Sequence, residues 1–499
     1  MSKQLGIDFL SIEDFTQLLQ QKTIEISEQA KAQIIISEQN VAHIVQSERT
    51  VYGINTGFGP LCDTKISKEE TSKLQTNLLI SHAVGVGKPI SKELSKIMLL
   101  AKIHALAKGF SGISWQTVQR LVYFFNNDLI PVVPSQGSVG ASGDLAPLSH
   151  LFLPLIGEGF FWNDKEKIHS KEILQQHNLS PLQLGAKEGL ALINGTQFIL
   201  AHAIKGVLEM EFLLNSADVI GAISVEAFQG SYQPFRKELH QIRPHKGNVI
   251  VAERLYNLLH QSENANSHTD CERVQDPYSL RCMPQVHGAS RNAWFHLKEL
   301  TEIELNSVTD NPIVLDENTS ISGGNFHGQP LAMALDYATL ATSELGNISD
   351  RRCYLLLEGK YGLPKLLIQD SGLNSGLMIP QYTTAALVTE NKTLCFPASA
   401  DSIPTSMGQE DHVSMGSISG RKFLKVIENV KKIFAIELMY ACQGFEFRRP
   451  LKTSEPLEKV FELVRSKVKK LENDRLIGND INVIIDLLES DQFKKVIDF

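Results

Sequence analysis

The sequence predicts a mainly α fold, with a long central helix bundle and a smaller loop-rich N-terminal domain carrying minor β structure. Three observations carry that expectation. Apolar residues recur at helical spacing along most of the chain, whereas strand-like alternation is sparse. Segments 197–228, 288–307, 329–356 and 420–442 are each long enough to cross a domain, and each is apolar around much of its circumference. Helices of that kind pack at the centre of a bundle or at subunit contacts. The character of the chain changes after Asn194, which places a boundary at 192–196 and domains at 1–194 and 195–499.

The elements follow in chain order. The N-terminus carries acidic residues and no apolar core segment, so no secretory signal is expected. Residues 49–54 are the first strand candidate and 159–162 the second. Ser67 and Glu70 form a capping box, and Leu74, Leu78 and Leu79 give the following helix an apolar face as far as Ser81. Ser91 opens a second helix, with Leu94, Ile97, Met98, Ala101 and Ala105 inward and Gly109 as its stop. A third runs from Ser114 to Phe125 and breaks before Pro131. Residues 134–150 then combine Gly137, Gly140 and Gly143 with Ser135, Ser138 and Ser142 before an apolar helical run. Asp144 is expected to cap that run, with Pro147 tolerated in its first turn. Residues 452–499 are charged and helical, a surface cover.

Composition narrows the function classes. Hydrophobic residues make up 42% and charged residues 21%, the balance of a soluble globular protein. A net charge of −8 and the lack of a Lys/Arg block argue against nucleic acid or an anionic membrane as partner. The apolar stretch 189–230 is interrupted by Lys205, Glu209, Glu211, Asp218 and Glu226, which fits a buried helix and not a membrane span. The six cysteines contain no C-x-x-C pair and are read as reduced, as in a cytoplasmic protein. Fifteen histidines occur without an H-E-x-x-H motif, so no metal is expected.

Five further segments carry polar groups that a bundle does not need. The glycine-rich loop 52–59 begins at Tyr52, yet lacks dinucleotide-fingerprint spacing and a following Gly-Lys-Ser/Thr. His82 ends a helix, where a histidine is also at home structurally. Asn194-Gly195 interrupts an apolar run, where its amide needs a partner or serves a local turn. Gln275, Tyr278 and Arg281 put amide, phenol and guanidinium within one short segment, able to form a surface loop or to fork a carboxylate. Glu410 lies in Gln409-Glu410-Asp411-His412, which a solvated charge cluster would also explain. Together these groups can handle an amine, a carboxylate and a ring. What they lack is a strong electrophile.

The segment GSVGASGDLAPLSH resembles the cofactor-forming segment of the aromatic amino acid lyases, and the other five segments follow in that family's order over essentially the whole chain. The resemblance implies a helical fold of the fumarase/aspartase-like superfamily. It also implies that Ala141-Ser142-Gly143 cyclises into 4-methylidene-imidazol-5-one (MIO), with no dissociable cofactor. The Gly143 nitrogen would attack the Ala141 carbonyl, which small flanking side chains permit and whose oxygen would leave as one water, and Ser142 would lose its hydroxyl as a second. Such an electrophile answers a chemical need, because the substrate β-hydrogen is barely acidic and an ammonium leaves poorly.

By the same resemblance Tyr52 is the general base for the β-proton, which requires donors or positive charge near its phenol. Arg281 holds the substrate carboxylate. Asn194 and Tyr278 lie beside the MIO, Gln275 completes the polar shell, and Phe326 packs over the site. His82 followed by Ala83, and Glu410 as acceptor for an imidazole N–H, are similar to the histidine-deaminating members. The implied activity is conversion of L-histidine to trans-urocanate and ammonia, the first step of histidine degradation, in a cytoplasmic homotetramer with shared active sites. Met407-Gly408 before Gln409 departs from the small or amide residues of the family pattern and puts the local loop shape in question. The alternatives on the same scaffold are a tyrosine or phenylalanine ammonia-lyase or an aminomutase. A non-catalytic helical scaffold would be expected to lose Ser142 or Tyr52, and both are present.

Overall fold

The computed structural model describes residues 3–47, 49–57, 59, 66–268 and 273–497. Cys62, Cys271 and Phe58 of the 52–59 loop lie outside the described residues. Helices dominate, and among the described residues the strands form three separate two-stranded antiparallel sheets. The mainly α architecture expected from the sequence is the one observed.

The chain divides into two compact units, each discontinuous in sequence. The first comprises Met1–Lys205, Leu297–Leu335 and Pro397–Arg421; the second comprises Gly206–His296, Asp336–Phe396 and Lys422–Phe499.

In the first unit, the helices Lys68–His82, Lys92–Leu106 and Trp115–Asn126 begin where their serines predict. Ser67, Ser91 and Ser114 accept hydrogen bonds from the N–H groups of Glu70, Leu94 and Thr117. The strand Phe160–Asn163 pairs with Glu166–His169, in agreement with the second strand candidate. The first candidate is corrected, because residues 49–51 are irregular, residues 52–54 form a turn, and none is strand. The cause is Asn55, whose side chain accepts from the Val51 N–H at 2.8 Å and donates to the Arg49 carbonyl at 2.7 Å. A local amide thus takes the backbone groups that a ladder would have used. A sheet that the sequence does not announce joins Val86–Pro89 to Pro134–Gln136, anchoring the stretch that leads into 137–143.

Asp144 also requires a correction. It stands at the start of the helix Leu145–Phe152 but makes no side-chain cap there. Its Oδ2 instead accepts from the N–H groups of Phe198 (3.0 Å) and Ile199 (2.9 Å), in the first turn of the long helix Gln197–Phe228. One carboxylate oxygen satisfies two donors that a helix start leaves open, and it meets the positive end of a much longer helix.

The second unit holds Met283–Leu305 up to His296, together with most of Gln329–Leu357 and Gly416–Glu446. Two buried charge clusters inside it are paired. Arg352 and Glu437 are both fully buried, and Glu437 also accepts from Ser224 at 2.7 Å. Asp218 gathers His287, Arg254 and Arg291. Removing one member of such a pair leaves a buried charge uncompensated, at a cost of about 3–5 kcal/mol.

Candidate active site

A cavity of about 570 Å³ opens in the first unit, and seven of the sequence-expected residues line it: Tyr52, His82, Ala141, Ser142, Asn194, Phe326 and Glu410. They arrive from separate places. Tyr52 sits in the turn created by Asn55, His82 is the last residue of Lys68–His82, and Asn194 follows the short helix Glu188–Ile193. Glu410 lies in a loop closed by a bridge between Thr405 and Glu410.

The 141–143 loop is held under unusual backbone constraint. Ser142 has φ +51°, a left-handed conformation that a serine adopts only when its surroundings impose it. Gly143 has φ +78° and forms a parallel bridge with Gly195. A Cβ at residue 143 would lie 2.1 Å from the Gly195 oxygen, so no larger residue fits without breaking that contact. Three further bonds fix the loop. The Asp144 N–H donates to the Gly195 oxygen at 2.7 Å, Asn194 Nδ2 donates to the Ser142 oxygen at 2.7 Å, and the Met415 N–H donates to the Val139 oxygen at 2.9 Å. Asn194 Oδ1 is buried without a hydrogen-bond partner among the described residues. The residue types fit an imidazolone formed in place: minimal flanks at Ala141 and Gly143, a hydroxyl to lose on Ser142, and an amide donor on the Ser142 oxygen.

The polar wall around this loop is built from short contacts. Ser142 Oγ donates to Glu410 Oε1 at 2.7 Å, while Glu410 Oε2 accepts from Thr405 (3.0 Å) and Ser406 (2.7 Å). His82 Nδ1 faces the Leu78 carbonyl at 2.9 Å, so that nitrogen carries the proton and Nε2 is left as an acceptor. Burial holds His82 below its ordinary value, against the Leu78 bond and the charge of Glu410. The Gly59 N–H donates to the Tyr52 phenol oxygen at 3.4 Å, the kind of donor a phenolic base requires. Among the described residues no three His, Cys, Asp or Glu side chains are grouped as metal ligands.

Gln275, Tyr278 and Arg281 do not line this cavity and belong to the second unit. They are organised among themselves. Arg281 donates to Gln275 Oε1 at 2.8 Å and to the Asp276 carbonyl at 2.9 Å, and its guanidinium lies 4.5 Å from the Tyr278 ring centroid. Tyr278 is 71% exposed, unusual for a phenol that has an aromatic face to bury.

Sequence reasoning missed several cavity residues, including Asn77, Asn311 and His327. It also missed a buried charge group behind the loop. Lys102 donates to the Asn194 carbonyl at 2.7 Å, and Lys187 donates to Asp310 at 2.7 Å. A signal for Lys102 existed: a lone lysine inside the apolar run MLLAKIHAL.

Comparison with known proteins places the whole chain. A family model described as aromatic amino acid lyase matches residues 10–466. A histidine ammonia-lyase of Natranaerobius thermophilus is 46% identical over 93% of this chain and 92% of its own. The crystal structure of histidine ammonia-lyase from Trypanosoma cruzi superposes with a TM-score of 0.90 at 44% identity, covering 98% of this chain and 93% of that one. Tyrosine aminomutase from Streptomyces globisporus superposes with a TM-score of 0.93 at 34% identity, covering 99% and 97%.

Proposed function

The chain belongs to the aromatic amino acid lyase family, and we propose that it deaminates L-histidine to trans-urocanate and ammonia at the cavity beside Ser142. The observation that carries the choice of substrate is Glu410. Its carboxylate stands on the cavity wall within hydrogen-bond reach of Ser142, where an acceptor can meet an imidazole N–H. His82, with Nε2 as an acceptor, offers a second polar contact on the same wall.

The electrophile is assigned to MIO, which Ala141, Ser142 and Gly143 would form and which would supply an electrophilic carbon able to activate the substrate for loss of ammonia. The chain's own residues do the rest. Tyr52 takes the β-proton at its phenol oxygen, with the Gly59 N–H bearing on that oxygen. Asn194 holds the Ser142 oxygen and stabilises negative charge there. Phe326 covers the cavity and limits water.

Arg281 is assigned to the substrate carboxylate, Gln275 to the polar shell and Tyr278 to a catalytic place beside the MIO, all contributed by another copy of the chain in a homotetramer. Their mutual order and the exposure of Tyr278 support this, since a prearranged polar set on an uncovered surface is suited to completing a neighbour's site. No described helix is long and apolar enough to cross a membrane. The assignment of the enzyme to the cytoplasm rests on its resemblance to the histidine-deaminating lyases.

The test is a comparison of L-histidine, L-tyrosine and L-phenylalanine as substrates, followed by ultraviolet absorbance of the product. Histidine is expected to be the efficient substrate, and faster turnover of tyrosine would overturn the role of Glu410. Glu410→Gln removes the charge and keeps the shape. The expected loss in kcat/KM for histidine is about 10- to 100-fold, the worth of a charge-assisted hydrogen bond of roughly 1.5–3 kcal/mol.

A further inference from the structure

We propose that Lys102 is a positioning residue for the 141–143 loop, acting through the main chain of Asn194. The inference rests on the reading of that loop as the precursor of the electrophile. Lys102 lies in the helix Lys92–Leu106, whose residues from Leu94 to Leu106 are buried apart from Lys96, and its own side chain is 1% exposed. Its Nζ donates to the Asn194 carbonyl at 2.7 Å. The nearby carboxylate, Asp310, is already engaged, accepting from Lys187 at 2.7 Å and from Ser111 Oγ at 2.8 Å. Lys102 therefore meets a carbonyl where a buried ammonium would ordinarily meet a carboxylate of its own. Burial pulls it down to about 8, against the charge of Asp310 and together with that of Lys187. Helix packing alone would be served better by a leucine or methionine.

What the ammonium holds explains why it is there. Asn194 contacts the loop through its side chain, which donates to the Ser142 oxygen, and the next residue contacts it through the Gly195 carbonyl, which accepts from the Asp144 N–H. The peptide carbonyl that Lys102 grips lies between these two contacts. Fixing it sets the direction of the Asn194 amide and the depth of the Gly195 bridge at once. The positive charge behind Asn194 also favours negative charge collecting on the Ser142 oxygen, in the water-poor setting where such fields act most strongly. Lys102 touches neither substrate nor loop, so its effect is on geometry and field.

The experiment compares wild type, K102M, K102Q and K102R as full-length chains. The measurements are intact mass, ultraviolet absorbance of the modified loop, thermal midpoint, and kcat and KM for L-histidine. Wild type is expected to be lighter than the unmodified chain by two waters. K102M and K102Q should either retain some of that mass or, when fully matured, lose kcat by about ten- to a hundredfold with KM little changed, as expected when a reacting group shifts by about 1 Å. K102R keeps the charge and the donor and should restore both maturation and kcat. K102Q keeps a donor without the charge and stays decisive should K102M fail to fold. Full water loss with wild-type kcat in any soluble neutral variant overturns the proposal. So does an arginine variant as damaged as the neutral ones. A wild-type mass equal to the unmodified chain instead refutes the reading of the loop itself, so the two failures are distinct.

Discussion

At the scale of the residue, Asp144 accepts three hydrogen bonds in a fully buried position, from Ser138 and from the N–H groups of Phe198 and Ile199. Burial pushes its carboxyl up to about 7, against these donors, from an ordinary value of 3.8. Because the folded value lies above the unfolded one, its contribution to stability is fully present below pH 3.8 and is lost as the pH rises through about 7. Asp144→Asn cannot titrate, so the thermal midpoint of wild type relative to this variant should fall steadily across that window. A difference that is flat or grows with pH would contradict the assignment. Tyr52 gives a separate prediction. Tyr52→Phe should retain the mass loss of a matured loop yet lower kcat by about 10²–10⁴-fold, the usual weight of a general base. A variant with near-normal kcat would move the base elsewhere.

At the scale of elements, the loop and its clamp are one object. Gly143→Ala places a methyl 2.1 Å from the Gly195 oxygen and must open the bridge, so the variant is expected to keep its hydroxyl on Ser142 and its full mass. Gly323→Ala is the control, since it lines the same cavity with nothing within 4 Å of the added carbon and should mature normally. Maturation of both variants alike would show that the clamp does not govern ring closure. These elements also mark what the sequence can disclose. Ser67, Ser91 and Ser114 announce their helices because a cap acts over three residues. The partners of Asp144 and Lys102 stand 54 and 92 residues away, beyond any local pattern. Residues 49–54 read as a strand because alternation is a local pattern, whereas the Asn55 side chain that takes the Val51 and Arg49 backbone groups competes only once the turn forms. Tyr52, His82, Asn194 and Glu410 were nonetheless legible as polar groups that their own elements did not require, whereas Ala141, Ser142 and Phe326 took their roles from the family resemblance.

At the scale of the molecule, one copy leaves apolar surface uncovered. Met333, Tyr337, Leu340 and Tyr354 on the helix Gln329–Leu357 are each about half exposed or more, at 61%, 48%, 49% and 54%. Tyr52 and Tyr278 belong to different units, and only Tyr52 lines the cavity. If assembled sites draw these two residues from different copies, inactive Tyr52→Phe and Tyr278→Phe chains should regain part of the activity when unfolded together and reassembled. Failure to complement in soluble mixed assemblies would contradict the sharing. The central claim, that the chain makes its own electrophile from residues 141–143, has a more direct test. Proteolysis of wild type followed by mass measurement of the peptide spanning 137–150 should show a deficit of two waters confined to Ala141, Ser142 and Gly143, absent in Ser142→Ala. An unmodified wild-type peptide from active enzyme would contradict the account.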